Sequence, residues 1–327
     1  MNNIECPVFY PTTAEFQNFE AYMVKIESQS KGYGMAKVIP PAEWKARRKG
    51  YKDINPKITH PVRQVVSGLA GIYQVVLISE RQMEYTAYKK YAKKRELNSE
   101  LSVEEIERKF WKNIRYDSAV YGADSDTISL FDRNTEWNLS ELSNLLEDGL
   151  KPLKLNGINT PFLYLGSWKS MFCWHKEDLD LYSINFLHFG KPKIWYCIPD
   201  SENEKFERLC QFHFREEYAQ CKEFLRHKMT QISPSVLKGA GIKYHRAVHN
   251  PGEFMVIFSK CYHMGFNAGF NCAEAVNFAT ENWIETGERV RRCLCDPDCV
   301  RIDMEEFKQR LKDNRNEGNP HKRAKHA

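Results

Sequence analysis

Residues 172–199 read FCWHKEDLDLYSINFLHFGKPKIWYCIP, and the fold of the chain turns on that stretch. Asp180–Phe189 and Lys193–Ile198 are short β-rich runs parted by Gly190-Lys191-Pro192, a turn signature. Just ahead of them stands Phe172-Cys173-Trp174-His175-Lys176-Glu177-Asp178. In extended backbone, side chains two apart share a face, so His175 and Glu177 point one way and Lys176 the other. An imidazole and a carboxylate on one β face are two of the three ligands of the 2-His-1-carboxylate arrangement. That arrangement holds non-haem Fe(II) and leaves positions open for a chelating cosubstrate and oxygen. A bare His-x-Glu is common by chance, so a third ligand is needed from a distant strand.

Further β-rich runs at Phe162–Leu165, Glu253–Ser259 and Glu274–Ala279, separated by Gly, Pro and Asn, predict an antiparallel sandwich or barrel. His263, in Cys261-Tyr262-His263-Met264-Gly265-Phe266-Asn267, follows one of these runs and is the candidate third ligand. It has competitors. His188 sits inside an apolar strand and reads as structural, while His245 and His249 read as loop residues whose spacing allows an incidental metal pair. Charge adds a constraint. A ferrous ion with one carboxylate keeps one positive charge, and a dianionic 2-oxoacid turns the site negative, so a cation must meet its far carboxylate. Lys193, beside Ile194, Trp195 and Tyr196, is placed to do so, with Asn185 and Tyr121 as hydrogen-bond donors; Lys191 at the turn is the exposed alternative.

Around this centre the chain is long enough for about two domains. Its 327 residues are 42% hydrophobic and 28% charged, a composition for packed cores and against wholesale disorder. The longest apolar stretch, near Ile72–Ile78, is too short for a membrane helix, and the N-terminus shows no secretory pattern, so a soluble intracellular chain is expected. The net charge of +5 permits an anionic partner without demanding one. In a reducing compartment the ten cysteines are metal ligands or buried residues before they are disulfides.

Thr12-x-x-Glu15 is a capping box, followed by Phe16, Phe19, Tyr22, Met23 and Ile26 at helical spacing. Residues 50–80 predict turns and short strands. Lys89, Lys90, Lys93, Lys94 and Arg95 read as the solvated face of a helix, and Ser102-x-x-Glu105 caps another. Leu139, Leu142, Leu145 and Leu146 predict a helix over Glu136–Glu147 with Gly149 as its stop, and a helical insert is expected around Ser201–His227. The polar end, HKRAKHA, reads as a basic tail.

The run quoted above, together with EFMVIFSKCYHMGFNAGFNCAEAVNFAT at 253–280, closely resembles the JmjC domain of histone lysine demethylases. FYPTTAEFQNFEAYM and AKVIPPAEWKAR near the start resemble a JmjN segment. Together they are similar to the jumonji-domain-two subfamily, which acts on trimethylated histone H3, and the likeness runs from about residue 8 to 311. The resemblance implies an α+β fold: a double-stranded β-helix (a cupin-like jelly roll) with peripheral helices and the N-terminal JmjN segment. It divides the chain into JmjN at 8–50, a packed linker region at 51–128, the JmjC domain at 129–295, and a C-terminal helix and tail at 296–327.

It also implies iron at His175, Glu177 and His263, and 2-oxoglutarate at Tyr121, Asn185 and Lys193 with Phe172 and Trp195 lining its pocket. The methylammonium is expected near Gly157, Tyr164, Glu177 and Asn277, with Ala275, Val276 and Lys228 in the same pocket and Asp124 on its rim. A structural zinc is implied at Cys221, His227, Cys293 and Cys295, with Cys299 a rival fourth ligand. The implied setting is nuclear, with O₂ as oxidant, the methylated H3 tail and chromatin as partners, no membrane, and a monomeric catalytic core.

This sequence departs from the family in places. Ala275-Val276 stands where Ser-Thr is common, which implies a preference for H3 lysine 9 over lysine 36. Phe258-Ser259-Lys260-Cys261-Tyr262 replaces Phe-Pro-Tyr-Gly-Tyr, and Lys176 replaces a Thr and is expected to point away from iron. Other functions compatible with the residues are a JmjC hydroxylase of a non-histone protein and an inactive chromatin-binding scaffold.

Overall fold

The computed structural model describes residues 4–97, 101–125, 128–295 and 299–317; most of the basic tail and Asp296–Asp298 lie outside them. In chain order the strands are β1 (Val8–Phe9), β2 (Met35–Val38), β3 (Val62–Leu69), β4 (Ile72–Ser79), β5 (Ala119–Ser125), β6 (Phe162–Gly166) and β7 (Met171–His175). They continue as β8 (Tyr182–Gly190), β9 (Lys193–Ile198), β10 (Thr230–Ile232), β11 (His245–His249), β12 (Phe254–Ile257), β13 (Tyr262–Asn267) and β14 (Asn271–Phe278). They form a large sheet, β1-β2-β12-β8-β14-β6-β5-β3-β4-β10, and a small one, β11-β9-β13-β7. Only the β1–β2 pair is parallel among the described strands. The large sheet's β12-β8-β14-β6 and the small sheet together make the double-stranded β-helix; the JmjN strands extend one edge and β5, β3, β4 and β10 the other.

Strand alternation sorts the small sheet by chemistry. Ile194, Tyr196, Tyr262, Met264 and Phe266 face outward and are covered by the helices Val103–Asn113 and Asn203–His213, which contribute Phe110, Phe206 and Cys210. Phe110 stacks on Phe266 with centroids 3.8 Å apart. Each such buried side chain stabilises by about 1.5–3 kcal/mol. The opposite alternates (Lys193, Trp195, Cys197, His263, Gly265, Asn267) pair across β9 and β13 and turn toward the large sheet. The polar interior of the barrel thus follows from the parity of these strands.

Four expectations need correction. The capping box at Thr12 opens only a short helix, Thr13–Phe16; Asn18 caps a second, Phe19–Gln29, by accepting from Ala21 N–H. Residues 62–79 form one hairpin of two eight-residue strands. No helix spans Glu136–Glu147. The leucines are buried as predicted, but Asn138 accepts from Ser140 N–H and Asn144 from Leu146 N–H, and the helix runs only over Leu145–Leu150 with Gly149 inside it. His245 and His249 lie on a strand, β11, which separates them by about 13 Å and removes them as a metal pair.

Candidate active site and metal centres

β7 and β13 lie side by side with His175 opposite His263. Two residues on, the register slips: Gly265 pairs with Phe172, so β7 carries one extra residue. Strict alternation would send Phe172 and His175 to opposite faces. The bulge brings both to the interior, where the Phe172 ring centroid lies 4.6 Å from that of Trp195. Glu177 lies past the end of β7 in extended backbone (φ −61°, ψ 154°), which keeps it on the His175 side.

The ligand atoms of His175, Glu177 and His263 all lie within 4.8 Å of one another. His263 Nε2 is 3.2 Å from Glu177 Oε1, close to the roughly 3 Å between neighbouring ligands on an ion with bonds of about 2.1 Å. Each imidazole is turned by its own backbone: Nδ1 of His175 is 2.6 Å from the Cys173 carbonyl, and Nδ1 of His263 is 3.2 Å from that of Cys261. With Nδ1 of each ring turned to its own backbone carbonyl, both Nε2 atoms face the centre. Asn277 Nδ2 donates to the other Glu177 oxygen at 3.1 Å. Burial alone would raise the Glu177 carboxyl. The hydrogen bond from His263 and the nearby imidazoles outweigh it and hold the group well below the usual carboxylate range. Burial, with His263 and Lys228 beside it, keeps His175 unprotonated. A carboxylate and two imidazoles are the donor set a divalent iron takes.

The second cluster is also complete. Cys221, His227, Cys293 and Cys295 place one atom each within 4.8 Å of the others. The Cys221 and Cys293 sulfurs are 3.6 Å apart, against about 3.8 Å for two thiolates on a tetrahedral zinc. His227 Nε2 is 3.1 Å from Cys293 Sγ. Burial raises the Cys293 thiol, but Cys295 N–H, His227 and Cys221 outweigh it and bring the value down to about 7. Cys299 donates instead to the Cys293 carbonyl at 3.3 Å and stands outside the four.

All the residues singled out around the first centre line one cleft of about 190 Å³: Tyr121, Asp124, Gly157, Tyr164, Phe172, Asn185, Lys193, Trp195, Lys228, Ala275, Val276 and Asn277, with His175, Glu177 and His263. Lys193 is 1% exposed and donates to Asn267 Oδ1 at 2.7 Å and to the Tyr121 hydroxyl at 3.3 Å. Loss of hydration brings its pKa down to about 7. Buried Asn185 Oδ1 and Trp195 Nε1 have no protein partner, as expected of groups that face a ligand. Tyr164 is held protonated by burial and by the Asp124 carboxylate. Asn267 was missed, although it shares the His263 face of β13 at i+4 and its parity alone would have found it. Ser183, two before Asn185 on β8, follows the same rule. Val62, Gln64 and Leu77 come from the β3–β4 hairpin, and no local pattern tied that hairpin to the cleft.

A family model described as "JmjC domain, hydroxylase" matches residues 162–278, and one described as "jmjN domain" matches residues 7–40. The chain carries a JmjN and a JmjC domain. The JmjC match runs from the first residue of β6 to the last of β14, so it takes in both histidines and Glu177. The JmjN match covers β1, the two N-terminal helices and β2.

Relatives of this JmjN–JmjC chain include the rat protein "Lysine-specific demethylase 4D", 44% identical over 96% of this chain, and the mouse protein "Lysine-specific demethylase 4B", 42% identical over 96%. The human "Probable lysine-specific demethylase 4F" is 43% identical over 91%. The chain spans 63%, 30% and 48% of their respective lengths. Among the described residues no helix is long and apolar enough to cross a membrane.

Proposed function

We propose that this JmjN–JmjC chain is an Fe(II)- and 2-oxoglutarate-dependent demethylase of trimethylated and dimethylated lysine in histone H3, with lysine 9 favoured over lysine 36. Its setting is the nucleus and its partner the methylated H3 tail in chromatin. The observation that carries the proposal is one carboxylate and two imidazoles converging within 4.8 Å in a cleft that also holds a buried lysine. The names of the relatives point the same way.

In this reading His175, Glu177 and His263 hold iron, and Cys221, His227, Cys293 and Cys295 hold a structural zinc. When bound, iron with 2-oxoglutarate and O₂ supplies hydroxylation of an N-methyl C–H bond, giving succinate, CO₂ and a hydroxymethyl amine that collapses to formaldehyde. The chain's own residues supply position and exclude water. Lys193 and the Tyr121 hydroxyl meet the far carboxylate of the 2-oxoacid, and Asn267 keeps the ammonium aimed. Phe172 and Trp195 wall that end against solvent. Asn277 fixes one oxygen of Glu177, which leaves the other toward His263. Oxygens of Gly157, Tyr164, Glu177 and Asn277 surround the methylammonium, each C–H···O contact contributing about 0.5–1 kcal/mol. Attack on a C–H bond needs no nitrogen lone pair, so a quaternary ammonium is acceptable. Ala275 and Val276 leave an apolar wall for its bulk; the lysine 9 preference rests on the likeness of this pair to that of the lysine 9 branch of the family.

Trimethylated H3 peptides incubated with the protein, Fe(II), ascorbate and 2-oxoglutarate are expected to lose the mass of one CH₂, with matching formaldehyde and succinate. His175→Ala should abolish this in a folded protein. A stable gain of one oxygen without formaldehyde identifies a hydroxylase instead, and absence of succinate a scaffold. Equal turnover of lysine 9 and lysine 36 peptides overturns the preference.

A further inference from the structure

Of the three side chains at the first centre, Glu177 is the one that no β-ladder holds. Both histidines sit inside paired strands. Glu177 lies at the head of the turn Asp178–Asp180, and that turn contains two consecutive strained residues: Leu179 at φ +55° and Asp180 at φ +52°. Side chains with a Cβ enter this region reluctantly, and such conformations persist where the surroundings enforce them. A relaxing turn would carry Glu177 with it.

Three side chains enforce the turn. Trp283 donates its indole N–H to the Leu179 carbonyl at 2.9 Å, and the Ser259 hydroxyl donates to the Asp180 carbonyl at 2.7 Å. Arg226 spans the whole turn. Its Nη1 donates to the Glu177 carbonyl at 3.0 Å and its Nη2 to Asp180 Oδ1 at 2.6 Å. A planar guanidinium presents two nitrogens in a fixed fork, one to each end, whereas an ammonium is a single point on a flexible stem. The fork is itself fixed: the Arg226 side chain is 9% exposed, with Glu223 3.6 Å from its Nε. Its neighbour His227 belongs to the Cys/His cluster, so the Phe224–His227 turn that carries Arg226 is anchored there.

We infer that Arg226 is a positioning residue for the metal-ligating carboxylate of Glu177, clamping the Glu177 carbonyl and the Asp180 carboxylate so that the strained turn between them keeps its shape. The inference rests on the assignment of His175, Glu177 and His263 as a metal site. Co(II) alone tests both steps when titrated into zinc-replete protein and followed by its d–d absorption. The unmodified protein should bind it, and His175→Ala should abolish the band; an unaltered band in that variant refutes the metal site, whatever Arg226 does.

Arg226→Gln should weaken Co(II) binding by about 10-fold to 100-fold. It should also change the intensity of the d–d bands while zinc content and far-ultraviolet circular dichroism are retained. Arg226→Lys should recover part of the affinity, since it reaches one end of the turn. Asp180→Asn, which weakens the clamp from its other end, should shift Co(II) affinity in the same direction and serves if Arg226→Gln does not fold. Co(II) affinity within about twofold of the unmodified protein in either variant, or a lowered melting temperature with an unchanged spectrum, overturns the inference.

Discussion

Lys193 is a cation held where cations are costly. It has no carboxylate within ion-pair distance among the described residues; its partners are an amide oxygen and a phenol. Loss of hydration lowers its pKa from 10.5 to about 7. The sign of the linkage follows. Above about 10.5 the side chain is neutral in folded and unfolded chain alike, and its ionisation has no effect on stability. Between about 10.5 and about 7 the unfolded chain binds the proton and the folded chain does not, so stability falls as pH falls, and below about 7 the full cost is present. Lys193→Met should therefore stabilise the ligand-free protein most at about pH 6.5, with the gain fading toward pH 10. Thermal melts across that range check it. The same variant should lose 2-oxoglutarate binding, because the charge that destabilises the empty site is the one that meets the anion. A melting temperature that tracks the unmodified protein at every pH would refute the account.

At the scale of elements, the Cys/His cluster joins the Phe224–His227 turn to the segment around Cys293, about seventy residues later in the chain. Cys295→Ser should lower zinc content and melting temperature together, as metal binding is folding free energy in such sites. Cys299→Ser should keep its zinc, since that sulfur is committed to the Cys293 carbonyl. Metal analysis beside thermal melts separates the two. The sequence left this choice open because a Cys-x-x-x-Cys spacing does not say which sulfur turns inward.

Other features were legible to different degrees, for physical reasons. Lys193 and Asn185 were readable because β9, and β8 up to the bulge at His188, are regular and parity decides their facing. The Phe172–His175 relation was not readable from parity, since a bulge makes a separation of three behave like one of two. Leu139, Leu142, Leu145 and Leu146 gave the correct burial and the wrong backbone. Apolar spacing reports what must be covered, whereas Asn138 and Asn144 decide locally whether a helix can form.

At the scale of the molecule, the JmjN segment is part of the large sheet that lines the cleft. β2 pairs with β12, and β12 pairs with β8, so Lys37, Met255 and Asn185 lie in one row across the sheet and the cleft residue Asn185 is two strands from JmjN. The helix Phe19–Gln29 packs Phe19, Tyr22, Met23 and Ile26 into the core that also contains Tyr182, Ile184 and Phe278. Trp137 stacks on Phe16 at 4.3 Å and donates its indole N–H to the Phe16 carbonyl at 2.7 Å. Phe16, Phe19, Tyr22, Met23, Ile26, Met35 and Val38 are all buried, which amounts to an upper estimate on the order of 10–20 kcal/mol of transfer free energy. A whole domain is stable by about 5–15 kcal/mol. A chain beginning at residue 41 would also leave β12 as a bare apolar edge, open to pairing with other molecules. It should show no cooperative unfolding transition and should aggregate. Phe19→Ala in the full chain, costing about 3–5 kcal/mol, should remain folded with a lowered melting temperature. If the shortened chain melts cooperatively and still binds Co(II) at the His175–Glu177–His263 centre, the sheet is held from its other edge and JmjN is an accessory to it.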